Sequence, residues 1–531
     1  MPRKFIVIMG SIMSGLGKGL VTSSIAKLIQ SRGYSVIPIK FDGYLNVDCG
    51  TMNPFRHGEV FVLDDGTEVD LDFGTYERFL NITLSGKCSI TGGKLFKLVI
   101  EKERKGDYLG SDVQFVPHLT DEIKRWVKEV YDESNADVVA IEVGGTIGDL
   151  ENGYFLEAMR QLSLEERVFF VQVTYAPSIS KGEQKTKPTQ HATRLLQSLG
   201  IQPHMIIARE EEKLKKEARE KISLYCNIPM ENVIDDPFVE TLYDLPLVFE
   251  KQGVYKIVAK YFGLKKEGDM EGWKKLVDNI KNSTKTARIA IVGKYTDVKD
   301  AYISVKEALV HAGAWLKIKP EIKWVESVWI EEDGAKKHLS DVDGVIVPGG
   351  FGKRGIEGKI SAINYARTNK IPYLGLCLGM QLMVIEWARN VAGWKDANST
   401  EFDKETGHPV VDILPEQKQI ARMGGTMRLG AYEMRIEKGT KAWEAYKAEN
   451  VYERHRHRYE VNPEFVEELR KTGLVVSGWW RDIVEMVEWP DSFGIATQSH
   501  PELKSRIEAP SMLFKAFLGE AEKLTITKKL N

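Results

Sequence analysis

The sequence predicts an α/β protein built from two parallel-sheet halves. Short apolar runs alternate with helix-length stretches, a glycine-rich loop joins the first apolar run to the first helical pattern, and the alternation begins again near residue 287. The chain has 531 residues, of which 43% are hydrophobic and 28% are charged. Such a composition is typical of a globular protein with several domains.

In the first half, apolar runs predict the strands of a largely parallel sheet. The run from Lys4 to Gly10 is followed by a helical pattern from Gly19 to Arg32 and a second run from Tyr34 to Lys40, which together form a βαβ unit. Further strand candidates are DVVAIEV (137–143), RVFFVQVTYA (167–176) and HMIIARE (204–210). Because helix-length stretches separate these runs, the strands should pair in parallel.

A polar, charged stretch separates the two halves. A new strand-like run, ARIAIVGKY, begins at Ala287, and the second half then alternates between helices and strands, with strands expected at 343–350 and 371–377. We therefore predict one domain at 1–265, a linker at 266–286 and a second domain at 287–531. The alternative is a surface helix inside one continuous domain.

Charge and cysteine content exclude several classes of function. The 74 lysines and arginines balance 76 aspartates and glutamates, so we predict neither nucleic acid nor a membrane as a partner. The four cysteines contain no CxxC pair, which argues against a disulfide framework or a cysteine zinc site and favours a reducing compartment. The first apolar run is too short for a signal peptide and none approaches membrane-spanning length, so we expect a cytoplasmic protein.

The segment GSIMSGLGKG, from Gly10 to Gly19, predicts a phosphate site. It joins a strand to a helix, where backbone N–H groups turn toward an anion and the helix N-terminus adds partial positive charge. Lys18 would supply an ammonium for the β- and γ-phosphates. The spacing is a variant, because the Walker motif needs glycine at Ile12 and serine or threonine at Gly19, and GxGxG is not the dinucleotide pattern. A structural glycine turn is the alternative.

Acidic and basic side chains elsewhere in the first half fit phosphoryl transfer. Since the loop lacks the usual magnesium-binding hydroxyl, Asp72 and the strand-end residue Glu142 are the candidate magnesium ligands. Lys40 ends a strand, so its amine should reach the same sheet edge as Lys18. The KTKPTQH segment at 185–191 has the charge to hold a triphosphate. The alternatives are unrelated capping acids and an ordinary solvated loop.

In the second half, Cys377 has the surroundings of a nucleophile. It lies at a strand-to-helix junction between Gly375 and Gly379, which is the pattern of a nucleophile elbow. A position at a helix N-terminus also lowers the pKa of a thiol and increases its reactive thiolate fraction. A buried core cysteine is the alternative.

Later segments supply partners for this thiol. His500 would deprotonate Cys377, Glu502 would stabilise the imidazolium, and the backbone N–H groups of Leu378 and Gly350 would form an oxyanion hole. A thiol triad suits a protease, a hydrolase or a glutaminase. Beside an ATP-binding half the glutaminase fits best, because free ammonium is mostly protonated at neutral pH and nucleophilic NH₃ is best released inside the protein.

Over nearly its full length the chain resembles the cytidine triphosphate (CTP) synthase family. The motifs that carry the resemblance, in family order, are SGLGKG, NVDCGTMNP, HGEVFV, DLDFGTYERF, GDYLG, VGGTIGD, KTKPTQH, GGFGKRG, GLCLGMQ, ANSTEF, GGTMRLG, ERHRHRYEVN and HPE. KTKPTQH and ERHRHRYEVN are specific, whereas the C-terminal triad alone would fit any class I glutamine amidotransferase. The resemblance implies an N-terminal P-loop NTPase-like (Rossmann-like) synthetase domain and a C-terminal α/β class I glutamine amidotransferase domain.

The resemblance also implies the reaction and the residues that perform it. The reaction would be ATP-dependent amination of UTP to CTP with ammonia from glutamine, through a 4-phosphorylated UTP, with Mg²⁺ at Asp72 and Glu142 and no organic cofactor. The implied ATP contacts are Gly15, Leu16, Gly17, Lys18, Gly19, Leu20 and Asp72. The implied UTP and CTP contacts are Ser14, Asp149, Leu150, Glu151, Lys185, Thr186, Lys187, Pro188, Thr189, Gln190 and Lys221. The implied glutamine contacts are Gly350, Leu378, Gly379, Met380, Gln381, Glu401 and Arg458.

Regulation and assembly follow from the same resemblance. It implies a homotetramer that GTP activates through a loop containing Arg354 and Glu357 and that CTP inhibits by feedback. His57 would line or gate the ammonia passage, with a structural histidine as the alternative. The chain departs from the family pattern at Ser11, Gly43, Cys49, Thr75 and Ser499, and we expect Gly43 and Ser499 to loosen nearby packing. The competing hypotheses are a different ATP-dependent glutamine amidotransferase and a nucleotide-binding regulatory or filament-forming scaffold without catalysis.

Overall fold

The structure is a computed structural model that describes residues 2–52, 58–179, 183–294, 299–413 and 427–530. The chain divides into two compact units. Unit 1 consists of Met1–Thr51 and Thr75–Val277, and unit 2 consists of Met52–Gly74 and Asp278–Asn531. The division after Val277 falls inside the stretch proposed as a linker, and the limits 1–265 and 287–531 stay a prediction. The sequence pattern does not indicate that residues 52–74 group with the C-terminal half.

Unit 1 is organised around a seven-stranded sheet. With strands numbered in chain order through both units, its members are β1 (Lys4–Gly10), β2 (Val36–Asp42), β5 (Ser89–Thr91), β6 (Val138–Val143), β7 (Arg167–Tyr175), β10 (Met205–Glu210) and β11 (Val233–Pro237). They lie in the order β11, β10, β7, β1, β6, β2, β5, and every neighbouring pair is parallel. This confirms the predicted parallel α/β sheet, whose strand ends differ from the predicted limits by no more than a few residues.

The central strands are apolar because both of their faces are covered. In β1 the run from Phe5 to Met9 is almost completely buried, as expected for a strand between two layers of helices. The helices with residues in unit 1 are α1 (Lys18–Gln30), α2 (Asp72–Leu80), α3 (Gly92–Lys105), α4 (Thr120–Ser134), α5 (Gly153–Glu165), α6 (Lys187–Ser198), α7 (Lys216–Cys226), α8 (Leu245–Lys251), α9 (Val254–Phe262) and α10 (Glu271–Asn282). A small antiparallel hairpin joins β8 (Ser178–Ile179) to β9 (Glu183–Gln184).

Unit 2 contains a nine-stranded mixed sheet. Its members are β12 (Lys285–Gly293), β13 (Ile318–Glu326), β14 (Gly344–Val347), β15 (Tyr373–Leu376), β18 (Arg428–Ile436), β19 (Asn450–His457), β21 (Val475–Trp480), β22 (Ile483–Glu488) and β23 (Gly494–Thr497). They lie in the order β13, β12, β14, β15, β23, β22, β21, β18, β19. The first five are mutually parallel and the rest pair antiparallel.

Two smaller sheets complete unit 2. One joins β16 (Asn398–Ser399), β17 (Pro409–Ile413) and β20 (Tyr459–Val461), and the other is a hairpin of β3 (Phe61–Val62) and β4 (Glu68–Val69). The helices that follow α10 are α11 (Ile303–Leu316), α12 (Ser327–Asp333), α13 (Ala335–Leu339), α14 (Ile356–Thr368), α15 (Leu378–Asn390), α16 (Lys441–Tyr446), α17 (Pro463–Lys471) and α18 (Met512–Leu530).

The core of unit 2 lies on both faces of its large sheet. Along β12, Ile289 and Ile291 pack in one hydrophobic cluster with residues of α11 and α18, whereas Ala290 and Val292 pack in another with residues of α14 and α15. This alternation follows from the two-residue period of a strand and gives three layers, helix on sheet on helix. Across the described part of the chain, none of the helices is both long enough and apolar enough to span a membrane.

Candidate active sites

The glycine-rich loop of unit 1 has the conformation that a phosphate site requires. Gly15 and Gly17 adopt positive φ angles of 77° and 80°, and Gly17 directly precedes α1. Lys18, the first residue of α1, is 9% exposed and its Nζ donates to the carbonyl of Gly145 at 2.6 Å. The side chain of Lys18 crosses the end of β1, since a Cβ at Gly10 would lie 2.9 Å from Lys18 Nζ.

Lys40 and Glu142 are neighbours at the carboxyl edge of the sheet. They are register partners on β2 and β6, and both are buried. Lys40 Nζ lies 3.8 Å from Asp42 Oδ1, and the hydroxyl of Tyr76 donates a short hydrogen bond to Glu142. A buried lysine and a buried carboxylate therefore lie side by side at the edge where parallel α/β sheets bind ligands.

Asp72 is the first residue of α2, and its backbone N–H donates to Asp70 Oδ1 at 2.9 Å. It belongs to the residues that group with unit 2, whereas Glu142 belongs to unit 1. Among the residues that the structure describes, no three His, Cys, Asp or Glu side chains cluster as a metal site. The magnesium assignment to Asp72 and Glu142 stays a prediction.

The KTKPTQH segment separates into an inner and an outer set of side chains. Thr189 and Gln190 are buried, with Thr189 Oγ1 3.0 Å from Thr174 Oγ1 and Gln190 Nε2 3.0 Å from Thr186 Oγ1. Lys185, in contrast, is half-buried and lies 2.7 Å from Glu183, and Lys187 is exposed. Hydrogen bonding to Lys185 lowers the pKa of Glu183, and Lys221 on α7 contributes to the same shift.

The remaining predicted nucleotide contacts of unit 1 differ in exposure, since Leu16 and Leu20 of the phosphate loop are buried. Ser14, Leu150 and Glu151 are exposed, and Asp149 accepts hydrogen bonds from the backbone N–H and the hydroxyl of Thr146 at 2.6 and 2.8 Å. Sequence reasoning missed Arg209, at the end of β10, whose Nη1 would lie 3.2 Å from a Cβ at Gly17. Only its position at a strand end could have indicated it.

Cys377 lies at a strained turn between β15 and α15. Its φ of 51° and ψ of −103° are unusual for a residue with a side chain, and its backbone N–H donates to Thr497 O at 2.8 Å. A Cβ at Gly379 would lie 2.1 Å from Val347 O, and one at Gly375 would lie 2.8 Å from the Cβ of Ala496. Both glycines therefore permit close packing around this turn, where Cys377 itself is 4% exposed.

His500 forms a charged pair with Glu502 beside this thiol. His500 Nδ1 lies 2.7 Å from Glu502 Oε1. Burial alone lowers the pKa of His500, but the negative charges of Glu502 and Cys377 outweigh it and hold that pKa well above its ordinary value. The imidazolium form of His500 is therefore favoured.

Polar groups that sequence reasoning missed surround the thiol. Gln498 Nε2 lies 3.7 Å and Arg456 O 3.9 Å from Cys377 Sγ. Gln381, a predicted glutamine contact, donates from Nε2 to Tyr459 O at 3.0 Å and to Gln498 Oε1 at 3.3 Å. Gln498 lies two residues before His500, and this adjacency was its only signal in the sequence.

The loop after β14 lies against the catalytic pair. A Cβ at Gly349 would lie 2.7 Å from His500 Cε1 and 3.6 Å from Cys377 Cβ, so only glycine fits there. Its neighbour Gly350 faces Leu378, whose Cδ2 would be 3.5 Å from a Cβ at Gly350. The loop and the start of α15 thus bring together the two residues expected to form the oxyanion hole.

The other predicted glutamine contacts differ in environment. Glu401 Oε1 accepts from the Gly352 N–H at 2.7 Å; burial raises the pKa of Glu401, and Arg458 is among the groups that oppose this shift. The side chain of Met380 is completely buried in the hydrophobic core. Sequence reasoning missed Lys294, whose Nζ donates to Phe351 O at 2.8 Å and also to Gly352 O.

The β3–β4 hairpin is bound to β19 by two ion pairs. Arg454 Nε lies 2.5 Å from Asp64 Oδ1, and Arg456 Nε lies 2.7 Å from Glu68 Oε1. The backbone of β19 also reaches the catalytic pair, because Arg454 O accepts from the His500 N–H at 2.7 Å. Contacts between residues so far apart in the chain leave no local sequence pattern.

Two departures from the family pattern do not loosen the packing around them. A Cβ at Gly43 would lie 2.5 Å from Asn152 Oδ1 and 2.8 Å from Glu151 O, so this position is tightly filled. Ser499 is completely buried, and its hydroxyl lies 2.6 Å from Thr497 Oγ1. Our expectation for both positions was therefore wrong, because close backbone contacts and a hydrogen bond replace the larger side chains. His57 lies outside the described residues.

Both halves of the chain are similar to known proteins. Residues 4–264 match the family model for the CTP synthase N-terminus, and residues 297–519 match the model for class-I glutamine amidotransferase. CTP synthases of Pyrococcus abyssi and Caldanaerobacter subterraneus subsp. tengcongensis are each 53% identical to this chain, over 98% and 97% of both sequences respectively. The glutaminase domain of Trypanosoma brucei CTPS with bound acivicin is 44% identical, with a TM-score of 0.43, over 45% of this chain and 94% of that one.

These findings define a glutamine-dependent amidotransferase with an attached synthetase domain. The chain belongs to the CTP synthase family. It is an ATP-dependent ligase of pyrimidine biosynthesis that forms a carbon–nitrogen bond with glutamine as amide donor, and its substrates are UTP, ATP and glutamine. The family resemblance drawn from the sequence is confirmed.

Proposed function

We propose that the chain carries two reaction sites and that ammonia released at Cys377 is consumed at the site that contains Lys18. Cys377 releases ammonia from glutamine, and the group formed by Lys18, Lys40 and Glu142 activates UTP with ATP. The observation that carries the proposal is Cys377, held at a positive φ beside the His500–Glu502 pair. A buried structural cysteine has no need of either feature.

The glutaminase half-reaction follows from these charges. The Cys377 thiolate attacks the side-chain amide carbon, and the N–H groups of Gly350 and Leu378 stabilise the resulting oxyanion. The His500 imidazolium gives its proton to the leaving nitrogen, so ammonia departs and a glutamyl thioester remains. Water, deprotonated by His500, then hydrolyses the thioester to glutamate. The raised pKa of His500 supports its role as the proton donor.

Glutamine is held by residues around this thiol. Glu401 and Arg458 offer opposite charges for its α-amino and α-carboxylate groups, and Gln381 reaches Cys377 through Gln498. Leu378 to Gln381 form the first turn of α15, which begins directly after the nucleophile. Because Met380 is buried in the core, its contribution comes from the backbone.

The synthetase half-reaction needs positioning and charge neutralisation. The γ-phosphoryl group of ATP passes to the 4-oxygen of UTP, which makes that oxygen a good leaving group, and ammonia then displaces phosphate. Lys18 and Lys40 neutralise the phosphoryl charge, and ATP lies along Gly15 to Leu20. The burial of both lysines near strand ends supports this assignment, since water screens buried charges less.

Asp72 and Glu142 are the residues that would hold magnesium. Mg²⁺ prefers oxygen ligands and usually combines one or two carboxylates with water and substrate phosphates, so a third protein ligand is not required. Glu142 is a buried carboxylate oriented by the hydroxyl of Tyr76. When bound, the ion would neutralise charge on the ATP phosphates.

Pyrimidine nucleotides contact two segments of unit 1. Lys185 and Lys221, which both act on Glu183, offer positive charge for the triphosphate of UTP, together with Ser14 and Thr186 to Gln190. The exposed segment Asp149 to Glu151 joins them in binding CTP, the feedback inhibitor.

GTP activates through Arg354 and Glu357, since Arg354 Nη2 donates to Lys294 O at 3.0 Å and Lys294 holds the loop near the thiol.

The protein acts as a homotetramer in the cytoplasm. Large apolar side chains of unit 1 are exposed, including Leu45 at 72%, Leu109 at 94% and Leu150 at 90%, and subunit contacts would remove such side chains from water. All four cysteines are free thiols, which fits a reducing compartment.

A turnover assay tests the proposal. Purified protein receives ATP, magnesium and UTP with either glutamine or an ammonium salt, and CTP and ADP are separated by chromatography. We expect CTP with both nitrogen donors and ADP formation only when UTP is present. ADP formation triggered by a different carbonyl compound would instead identify another amidotransferase. Absence of both glutaminase turnover and CTP formation would favour the hypothesis of a non-catalytic scaffold.

A further inference from the structure

A buried lysine behind the glutaminase loop has no place in the mechanism above. Lys359 lies on α14 and is 0% exposed. Its Nζ has no hydrogen-bond partner among the residues that the structure describes. Burying an amine without partners costs free energy, so packing alone does not account for lysine at this position.

The amine of Lys359 lies beside the loop of the proposed oxyanion hole. A Cβ at Gly350 would be 3.7 Å from Lys359 Nζ and 3.5 Å from Leu378 Cδ2. Gly349, one residue earlier, faces His500 and Cys377. Two consecutive residues of the loop thus face the amine and the catalytic pair, Gly350 the former and Gly349 the latter.

Three ionisable groups influence the pKa of Lys359. Lys294 at the end of β12 is positive, whereas Glu326 at the end of β13 and Cys377 are negative. From α12, Glu331 accepts from the backbone N–H of Gly358 at 3.0 Å. Burial, together with the positive charge of Lys294, lowers the pKa of Lys359 to about 7, and Cys377 and Glu326 oppose the shift. Negative charge at the thiol therefore favours the ammonium form.

We infer that Lys359 is an electrostatic positioning residue of the glutaminase, whose ammonium acts through the Gly350 loop to stabilise negative charge on the thiolate and the tetrahedral oxyanion. This inference rests on the proposed glutaminase site. It requires no contact with glutamine, so the effect belongs to kcat and not to glutamine affinity. It also makes the glutaminase depend on the protonation of an amine whose pKa lies near neutrality.

The test replaces Lys359 with methionine, which has a similar length and no charge. Lys336→Met is the matched control, because Lys336 is an exposed lysine on α13. For Lys359→Met we expect glutamine-dependent kcat to fall about ten-fold or more, with KM for glutamine nearly unchanged and ammonia-dependent CTP synthesis retained. Wild-type glutaminase kcat/KM should fall as Lys359 loses its proton near its pKa of about 7, and this step should be absent in the variant, whereas a decline at higher pH caused by deprotonation of His500 should remain.

The other outcomes overturn the inference. An unchanged kcat and pH profile would mean that the Lys359 amine does not affect the glutaminase reaction, and a rise in KM alone would mean a binding role. A parallel loss of glutamine- and ammonia-dependent synthesis would mean a structural role. If the methionine variant does not fold, Lys359→Gln is measured by the same criteria. Failure of the proposed function is distinguishable, because wild-type protein would then make no CTP from glutamine.

Discussion

At the scale of single residues, substitutions in the two proposed sites should differ in which nitrogen donor they affect. Cys377→Ala removes the attacking thiolate, so glutamine-dependent CTP synthesis should be abolished while ammonia-dependent synthesis persists. Both rates are measured on the same preparation. Cys226→Ala, which removes a buried thiol of unit 1, serves as the control and should retain glutamine-dependent synthesis. Loss of the ammonia reaction in Cys377→Ala would contradict the two-site mechanism.

Lys18 should behave in the opposite way. Lys18→Ala removes the ammonium from the phosphate loop, and both glutamine- and ammonia-dependent synthesis should fall by about 100-fold or more, because each requires phosphoryl transfer. Glutaminase turnover, followed as glutamate release, needs no phosphate chemistry and should be affected much less. Lys97→Ala, at an exposed lysine of α3, is the control. Undiminished CTP synthesis in Lys18→Ala would contradict the assignment of Lys18 to the ATP phosphates.

At the scale of elements, strand β19 connects the hairpin to the thiol site. Glu68→Gln removes the negative partner of Arg456, whose carbonyl lies 3.9 Å from Cys377 Sγ. Loss of one charge-assisted hydrogen bond costs about 1.5–3 kcal/mol, and part of this should appear as a several-fold lower glutamine-dependent kcat. Ammonia-dependent synthesis should not change. Glu433→Gln, at an exposed glutamate of β18, is the control, and equal kinetics for the two variants would refute the role of the hairpin.

The elements themselves show how far sequence patterns reach. The apolar runs of β1 and β6 and the glycines around Cys377 predicted a parallel sheet and a strained turn, because local sterics and burial determine both. The hairpin was not predictable, since its two-residue strands are too short for a periodic signal and its ion pairs join distant parts of the chain. The burial of Lys359 was equally unpredictable, because a lysine in a helical pattern is normally expected at the surface.

At the scale of the whole molecule, a buried ionic cluster in unit 2 couples stability to pH. Arg428 lies 3.0 Å from Glu460 and 2.7 Å from Glu485, and His455 and His457 pack against these carboxyls. Burial raises the pKa of Glu460 to about 8, although Arg428 opposes the shift. The folded protein therefore holds a proton that the unfolded chain has lost, and the free energy of unfolding should decrease as pH rises from the unfolded pKa of about 4.3 to about 8. His455 and His457, whose pKa values burial lowers, act in the opposite sense below about pH 6.5.

Glu460→Gln tests this coupling by replacing the carboxyl with a neutral isostere. The free energy of unfolding, measured by denaturant titration between about pH 6.5 and about pH 8.5, should decline less steeply in the variant than in the wild type. Glu464→Gln, at an exposed glutamate of α17, should leave the slope unchanged. Identical slopes for all three proteins would show that Glu460 is ionised throughout this range.

The assignment of residues 52–74 to the C-terminal unit limits how this enzyme can be taken apart. A polypeptide that begins at Ala287 would contain Cys377, His500 and Glu502 but would lack Asp64 and Glu68, and the completely buried side chain of Arg454 would lose its carboxylate partner. Gene fusion or exchange with another amidotransferase would therefore have to transfer two separate stretches of DNA, because a single cut at the linker would separate Arg454 and Arg456 from Asp64 and Glu68.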